Sequence, residues 1–268
     1  MNIESIRLVY FSPTGTTRKI VETIASGVGG APFDRVDITL QSGRRSSIQT
    51  SAVQLLIVGV PVYAGRVPSH ACQWLRTIQA HDTPAVCVVV YGNREYDDAL
   101  LELKEAMVGV GCIPVALAAY VGEHSFSSAE IPIASGRPDA GDLKHAEAFG
   151  KQIKDTLLLL DSASQAHEIP VPGHGPFVEM DVAKVNLSPV EFIAVSDICS
   201  HCGVCAQVCP VGAIDPETSE SIATKTCTYC SACVKKCPVG ARIIKPERVK
   251  NIARRLSQLP RKQPVTFF

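Results

Sequence analysis

Four short runs in the first half of the chain, residues 6–11, 53–60, 85–91 and 115–121, are nearly all apolar and do not alternate with polar residues. A strand exposed on one face alternates, whereas a strand covered on both faces reads as a continuous apolar run. The pattern therefore predicts four buried strands, and a weaker run over 34–39 suits a sheet edge. Between these runs apolar residues recur at helical spacing, near 17–27, 68–80, 97–108 and 141–160. Strands alternating with helices imply a parallel sheet, so residues 1–160 are expected to form a five-stranded α/β domain. The alternation stops at residue 161, where three prolines and two glycines in SASQAHEIPVPGHGPFVEMD mark a linker over 161–187. A small domain over 188–246 and a basic helix and tail over 247–268 complete the chain, with Val249, Ile252, Ala253 and Leu256 on one face of that last helix.

Composition narrows the possible chemistry. Lys plus Arg and Asp plus Glu number 26 each, so no global field argues for a nucleic acid or a membrane surface. No stretch approaches the roughly 18 apolar residues that a spanning helix needs, and the N-terminus lacks the ordered regions of a signal peptide. These features predict a cytoplasmic protein with reduced thiols. Of the 11 cysteines, Cys72, Cys87 and Cys112 stand in apolar contexts and read as small buried hydrophobes.

The other eight form two blocks, CSHCGVCAQVCP from Cys199 and CTYCSACVKKCP from Cys227. Cys199, Cys202, Cys205 and Cys209 recur 28 residues later as Cys227, Cys230, Cys233 and Cys237, and the match extends through CPVGAI and CPVGAR. This is an internal duplication. Two-residue gaps let a tight loop point three thiolates at one face of a polynuclear cluster, while the fourth ligand comes from elsewhere. Zinc is the alternative for a thiolate-rich site, but zinc sites pair two C-x2-C units, whereas here three thiolates are bunched and the Cys-Pro repeats. The blocks resemble those of bacterial ferredoxins with two 4Fe-4S clusters, in which the Cys before Pro ligates the other block's cluster. That resemblance implies one cluster on Cys199, Cys202, Cys205 and Cys237, and another on Cys227, Cys230, Cys233 and Cys209.

Ligands of open α/β sheets bind at the carboxyl ends of the strands. After the first strand, Ser12-Pro13-Thr14-Gly15-Thr16-Thr17 leads into a helix and offers hydroxyls and helix N–H groups to a phosphate, although the same residues also serve as ordinary caps. Gly-Lys-Ser/Thr and G-x-G-x-x-G are both missing from this loop. Two further loops combine glycine with aromatic residues at strand ends, 61–66 and 91–97. With these three loops the first 160 residues resemble a flavodoxin. The resemblance implies strand order 2-1-3-4-5 and an FMN phosphate on Ser12, Thr14, Gly15, Thr16 and Thr17. It implies an isoalloxazine flanked by Pro61, Val62, Tyr63, Ala64, Gly65 and Arg66 on one loop and by Tyr91, Gly92, Asn93, Arg94, Tyr96 and Asp97 on the next. Tyr96 is the first choice for stacking and Tyr63 the second. Many flavodoxins crowd acidic residues here, so Arg66 or Arg94 is a candidate for raising the flavin potential. A fourth loop over 122–127 carries His124, the candidate proton donor.

The whole chain resembles flavodoxin-ferredoxin fusion proteins of anaerobic and facultative microbes. The resemblance implies electron transfer between FMN and two 4Fe-4S clusters, to or from a redox partner protein, without nucleic acid and with a homodimer left open. Two alternatives stay open: a flavin- and iron-sulfur-dependent oxidoreductase that reduces a small substrate, and an iron-sulfur redox sensor. The basic tail is either a face docked back on the protein or a patch that steers an acidic partner.

Overall fold

The computed structural model describes residues 1–177, 192–220 and 227–268. The domain start expected at residue 188 and the last part of the linker lie outside the described residues.

The apolar runs form β1 (Ser5–Tyr10), β4 (Gln54–Pro61), β6 (Thr83–Tyr91) and β7 (Cys112–Val121), and the weaker run forms β2 (Phe33–Asp37) at one edge. All pair in parallel. Every residue of β6 is buried, which explains why its sequence shows no alternation. The intervening numbers belong to β3 (Gln49–Thr50) and β5 (Gln79–Ala80), a two-residue parallel ladder beside the main sheet.

The sheet has six strands rather than the expected five. Its order is β10-β7-β6-β4-β1-β2, where β10 (Val265–Phe267) lies antiparallel to β7. Residues 247–268 were expected to hold a basic helix and a tail without a strand, but the Val-Thr-Phe segment of that tail has the branched and aromatic side chains that suit one. The terminal Phe268 packs edge-on against Phe149, with ring centroids 5.3 Å apart.

Two cores lie on opposite faces of the sheet. On one, Leu8, Ile57, Val88 and Ala118 pack under α1 (Thr16–Val28) and α4 (Ala140–Leu158). On the other, Val9, Val58, Val89 and Ala119 pack under α2 (Ser69–Leu75) and α3 (Ala99–Val108). Helices α1 and α4 touch through glycine: a Cβ on Gly150 would stand 2.2 Å from the Ile24 carbonyl oxygen. Helix α2 stops short of the 68–80 span expected for it. Thr77 turns its hydroxyl onto the Trp74 carbonyl at 2.7 Å, and the chain extends two residues later into β5.

The described part of the linker is packed. Ile169 is buried in the core beside α3, Lys104 Nζ donates to its carbonyl at 2.7 Å, and the His174 N–H donates to Asp98 Oδ1 at 3.0 Å.

The duplication is visible in the backbone of the second domain. Short helices α5 (Val204–Gln207) and α6 (Ala232–Lys235) follow left-handed residues at matching places: His201 and Tyr229 at φ 50° and 54°, Gly203 and Ser231 at 70° and 56°. The antiparallel pair β8 (Ile193–Val195) and β9 (Arg242–Ile244) closes the unit, and α7 (Glu247–Ser257) packs Val249 against Phe192 and Ile193. So small an apolar core needs additional support.

Candidate cofactor sites

The carboxyl ends of β1, β4, β6 and β7 enclose a cavity lined by Thr14, Thr16, Pro61, Val62, Tyr63, Val90, Tyr91 and Gly92, and also by Gly122, Glu123, His124, Ser125 and Cys230. Seven of the expected flavin-loop residues are in that lining. The floor beside it is the N-terminus of α1, where Gly15 takes φ +91° and Thr17 Oγ1 is buried without a hydrogen-bond partner among the described residues. An orphaned hydroxyl among first-turn N–H groups fits a phosphate, because a buried polar atom is costly until something bonds it. Ser12 serves the loop itself: its Oγ accepts from the Arg18 N–H at 3.0 Å.

Several expected residues point elsewhere. Arg66 makes a two-pronged pair with Glu102, Nε at 2.8 Å and Nη2 at 2.7 Å, and Glu102 also accepts from the Val67 N–H at 2.9 Å. Neither Arg66 nor Arg94, which pairs with Asp97, belongs to the cavity wall. Gly65 is pressed on the Asp97 side chain, 2.6 Å from where its own Cβ would be, and Ala64 is exposed. Tyr96 packs edge-on to Tyr91 at 5.6 Å, behind the wall, so Tyr63 rather than Tyr96 faces the cavity. Asn93 clasps the C-terminal tail: Nδ2 donates to the Pro260 carbonyl at 3.1 Å and Oδ1 accepts from the Lys262 N–H at 2.9 Å. Arg137 donates to the Lys262 carbonyl at 3.2 Å and Arg261 pairs with Asp139. The end of the basic tail is therefore docked on the flavin loops, while Arg248 and Arg255 on α7 remain exposed.

His124 is fixed by its backbone. The Phe126 N–H donates to His124 Nδ1 at 3.0 Å, which leaves the ring proton on Nε2. Its ring lies over Gly92, where an added Cβ would come within 2.2 Å of Cδ2. Burial, reinforced by Lys235 and Arg94, pushes its pKa down to about 4. It is therefore a neutral hydrogen-bonding group near pH 7. Glu123 beside it is held below the usual carboxylate range: burial opposes ionisation, but Lys235 and the Gly136 N–H stabilise the anion.

A second cavity is lined by Cys209, Cys227, Cys230 and Cys233 together with Phe192, Ile214, Tyr229, Ser231 and Arg242. The structure thus brings Cys209 of the first block to three cysteines of the second. Ser231 Oγ and Arg242 Nε are buried here without partners among the described residues. Sulfur atoms around an apolar space, with donors aimed at nothing else, fit an electron-rich iron-sulfur cluster. Among the described residues no group of His, Cys, Asp and Glu converges on a single ion. Of the remaining four cysteines, Cys202 is exposed, Cys199 and Cys237 are half-buried and Cys205 is buried. Duplicate bonds mark the two Cys-Pro turns, with the Ala213 N–H on Cys209 Sγ and the Ala241 N–H on Cys237 Sγ, both at 3.2 Å. Burial would raise the Cys237 thiol, but amides of Arg242, Val239, Ala241 and Gly240 bring it below its ordinary pKa.

The two cavities share a wall at Cys230. Across the same boundary Phe126 meets Phe192 at 5.6 Å, and Phe192 packs on Tyr229 at 4.8 Å within the second domain. After β2, the edge strand remote from β7, Arg44 donates to the Pro210 carbonyl at 2.6 Å and Gln41 to the Val211 carbonyl at 3.2 Å. Sequence reasoning placed the loop over 122–127 at the flavin edge and gave a role there only to His124. It assigned none to Glu123 and could not place Cys230 there, because that contact depends on how the two domains dock.

Residues 7–107 match the model of a flavodoxin domain and residues 198–241 that of a 4Fe-4S dicluster domain. Among solved structures, the chain is similar to a flavodoxin from the domain Archaea (13% identity, covering 57% of this chain and 99% of that one, TM-score 0.39). It is similar to a flavodoxin of Streptococcus pneumoniae TIGR4 (15% identity, 56% of this chain and 98% of that one, TM-score 0.39). A third is the apo form of the NADH:FMN oxidoreductase EMOB (14% identity, 61% of this chain and 94% of that one, TM-score 0.43). No curated protein matches the sequence. Among the described residues no helix is long and apolar enough to cross a membrane.

Proposed function

Taking as premise that the chain is a flavodoxin domain followed by a 4Fe-4S dicluster domain, we propose that it passes electrons between FMN and a redox partner protein through two clusters in series. The observation that supports this reading is Cys230, which stands on the wall of both cavities. When bound, FMN exchanges one or two electrons and each cluster one, so the set converts between two-electron and one-electron partners.

The chain's own residues set the order. Thr14, Thr16, Thr17 and the first-turn amides of α1 hold the FMN phosphate, and Tyr63 and His124 line the space beyond it. Cys209, Cys227, Cys230 and Cys233 form the inner thiolate set, which adjoins that space. Cys199, Cys202, Cys205 and Cys237 form the outer set, whose exposed Cys202 is the face offered to a partner. Phe126, Phe192 and Tyr229 pack at the boundary between the domains and keep water from it.

Cofactor analysis of anaerobically purified protein tests the assignment. The expected content is one FMN and about eight iron and eight sulfide per chain, with about half the iron lost in Cys230→Ala. Zinc without sulfide, or full iron without bound flavin, overturns it.

A further inference from the structure

The two cysteine blocks agree through Cys-Pro-Val-Gly-Ala and then diverge, to Ile214 in the first copy and Arg242 in the second. Both side chains line the inner cavity with Cys209, Cys227, Cys230 and Cys233. Arg242 is only 3% exposed. Its Nη2 donates to the Ser219 carbonyl, while Nε is buried without a partner among the described residues. Among the described residues no carboxylate pairs with it. A guanidinium stays charged, and burying one without a counter-charge is strongly unfavourable. The thiolates of this cavity, and the cluster they hold, are the negative charge that it faces.

We propose that Arg242 sets the inner cluster's reduction potential above the outer cluster's, through its charge and its unpartnered Nε–H in the wall of the inner cavity. This rests on reading the inner cysteines as a cluster site. A four-thiolate cluster is anionic, and reduction adds one more negative charge, so a fixed cation beside it favours the reduced form. An added electron then settles on the cluster next to the flavin cavity before it moves outward. Ile214, one repeat earlier, lines the same inner cavity and supplies neither charge nor donor, so among the described residues Arg242 is the one cation in that lining.

An EPR-monitored reductive titration of the full chain, with dithionite as reductant, tests this. Two separate one-electron waves are expected in the wild type. Cys209→Ser, a ligand change confined to the inner set, should alter the signal of the higher wave; alteration of the lower one overturns the proposal without any change at Arg242. Arg242→Met should lower the higher wave by a tenfold to thousandfold change in the reduction equilibrium, about 59 mV per tenfold, and leave the lower wave in place. Unmoved waves, or two waves that fall together, overturn it. Arg242→Gln, neutral but still a donor, gives a second reading with a smaller fall. Iron counts separate the two levels of failure. Low iron in the wild type speaks against the cluster reading, whereas full iron with unmoved waves speaks against Arg242 alone.

Discussion

Lys235, at the end of the one-turn helix that carries Cys233, donates through Nζ to the carboxylate of Glu123, which stands on the wall of the flavin cavity. The same ammonium reaches the Ser127 carbonyl at 2.6 Å. One cation thus ties the cysteine-bearing domain to the loop after β7. It also neutralises a carboxylate that would otherwise repel an anionic ligand.

Removing that cation should weaken flavin binding from a distance. Lys235→Ala is expected to lower FMN affinity about tenfold, and the pair's partial exposure keeps the effect at the lower end of what a broken ion pair costs. Glu123→Gln should weaken it less, since no bare carboxylate remains. Fluorescence titration of flavin-depleted protein measures both; equal affinity in Lys235→Ala and wild type would show that the latch does not reach the flavin site.

Thr17 separates binding from stability. Its buried hydroxyl has no partner, so Thr17→Val, nearly isosteric, should leave the flavin-free fold as stable or slightly more so. FMN should bind about tenfold more weakly, roughly the value of one hydrogen bond to a charged group, while riboflavin, without the phosphate, should bind as before. A parallel loss for riboflavin would place the hydroxyl's partner away from the phosphate.

Arg66 and Glu102 belong to the architecture. Glu102 is 6% exposed and binds both prongs of Arg66 and the Val67 amide, so Glu102→Ala should cost about 2–4 kcal/mol in chemical denaturation. Arg66→Ala should destabilise as well, yet leave the flavin midpoint potential unchanged. A potential that drops in Arg66→Ala would restore this residue to the flavin site.

His124 has a pH signature. Its folded pKa of about 4 lies below the ordinary 6.5, so as pH falls the unfolded chain takes up the proton first. The group therefore costs folding stability progressively from about pH 6.5 down to about 4, and nothing above. Carbon-detected NMR of ring-labelled histidine, assigned with His124→Gln, should show a His124 signal flat from pH 8 to about 5.5. A midpoint near 6.5 would mean that the ring is solvated and able to act as an acid.

Much of this was legible in the sequence because burial and ligation leave strong local marks. Continuous apolar runs such as 85–91 told of a sheet covered on both sides, and the C-x2-C-x2-C-x3-C-P blocks showed their own duplication. What stayed hidden depends on distant partners. Arg66 sits in a flavin loop by sequence, but a buried carboxylate 36 residues away holds it elsewhere. The tail was expected either to dock back on the protein or to steer a partner, but that Asn93 and β7 clasp its last residues depends on contacts more than 140 residues apart in sequence. Cys230 was a ligand candidate by spacing alone, and its second place, on the flavin cavity, follows only from domain docking.

The measurement that tests the central claim most directly is anaerobic single-turnover electron transfer, with the flavin photoreduced by a brief pulse and the iron-sulfur absorbance followed afterwards at several protein concentrations. Because both cavities meet at Cys230 within one chain, the cluster bands should bleach as the flavin reoxidises, with a rate constant independent of concentration. A rate that rises in proportion to protein concentration would mean that the electrons travel between chains, and would contradict the account.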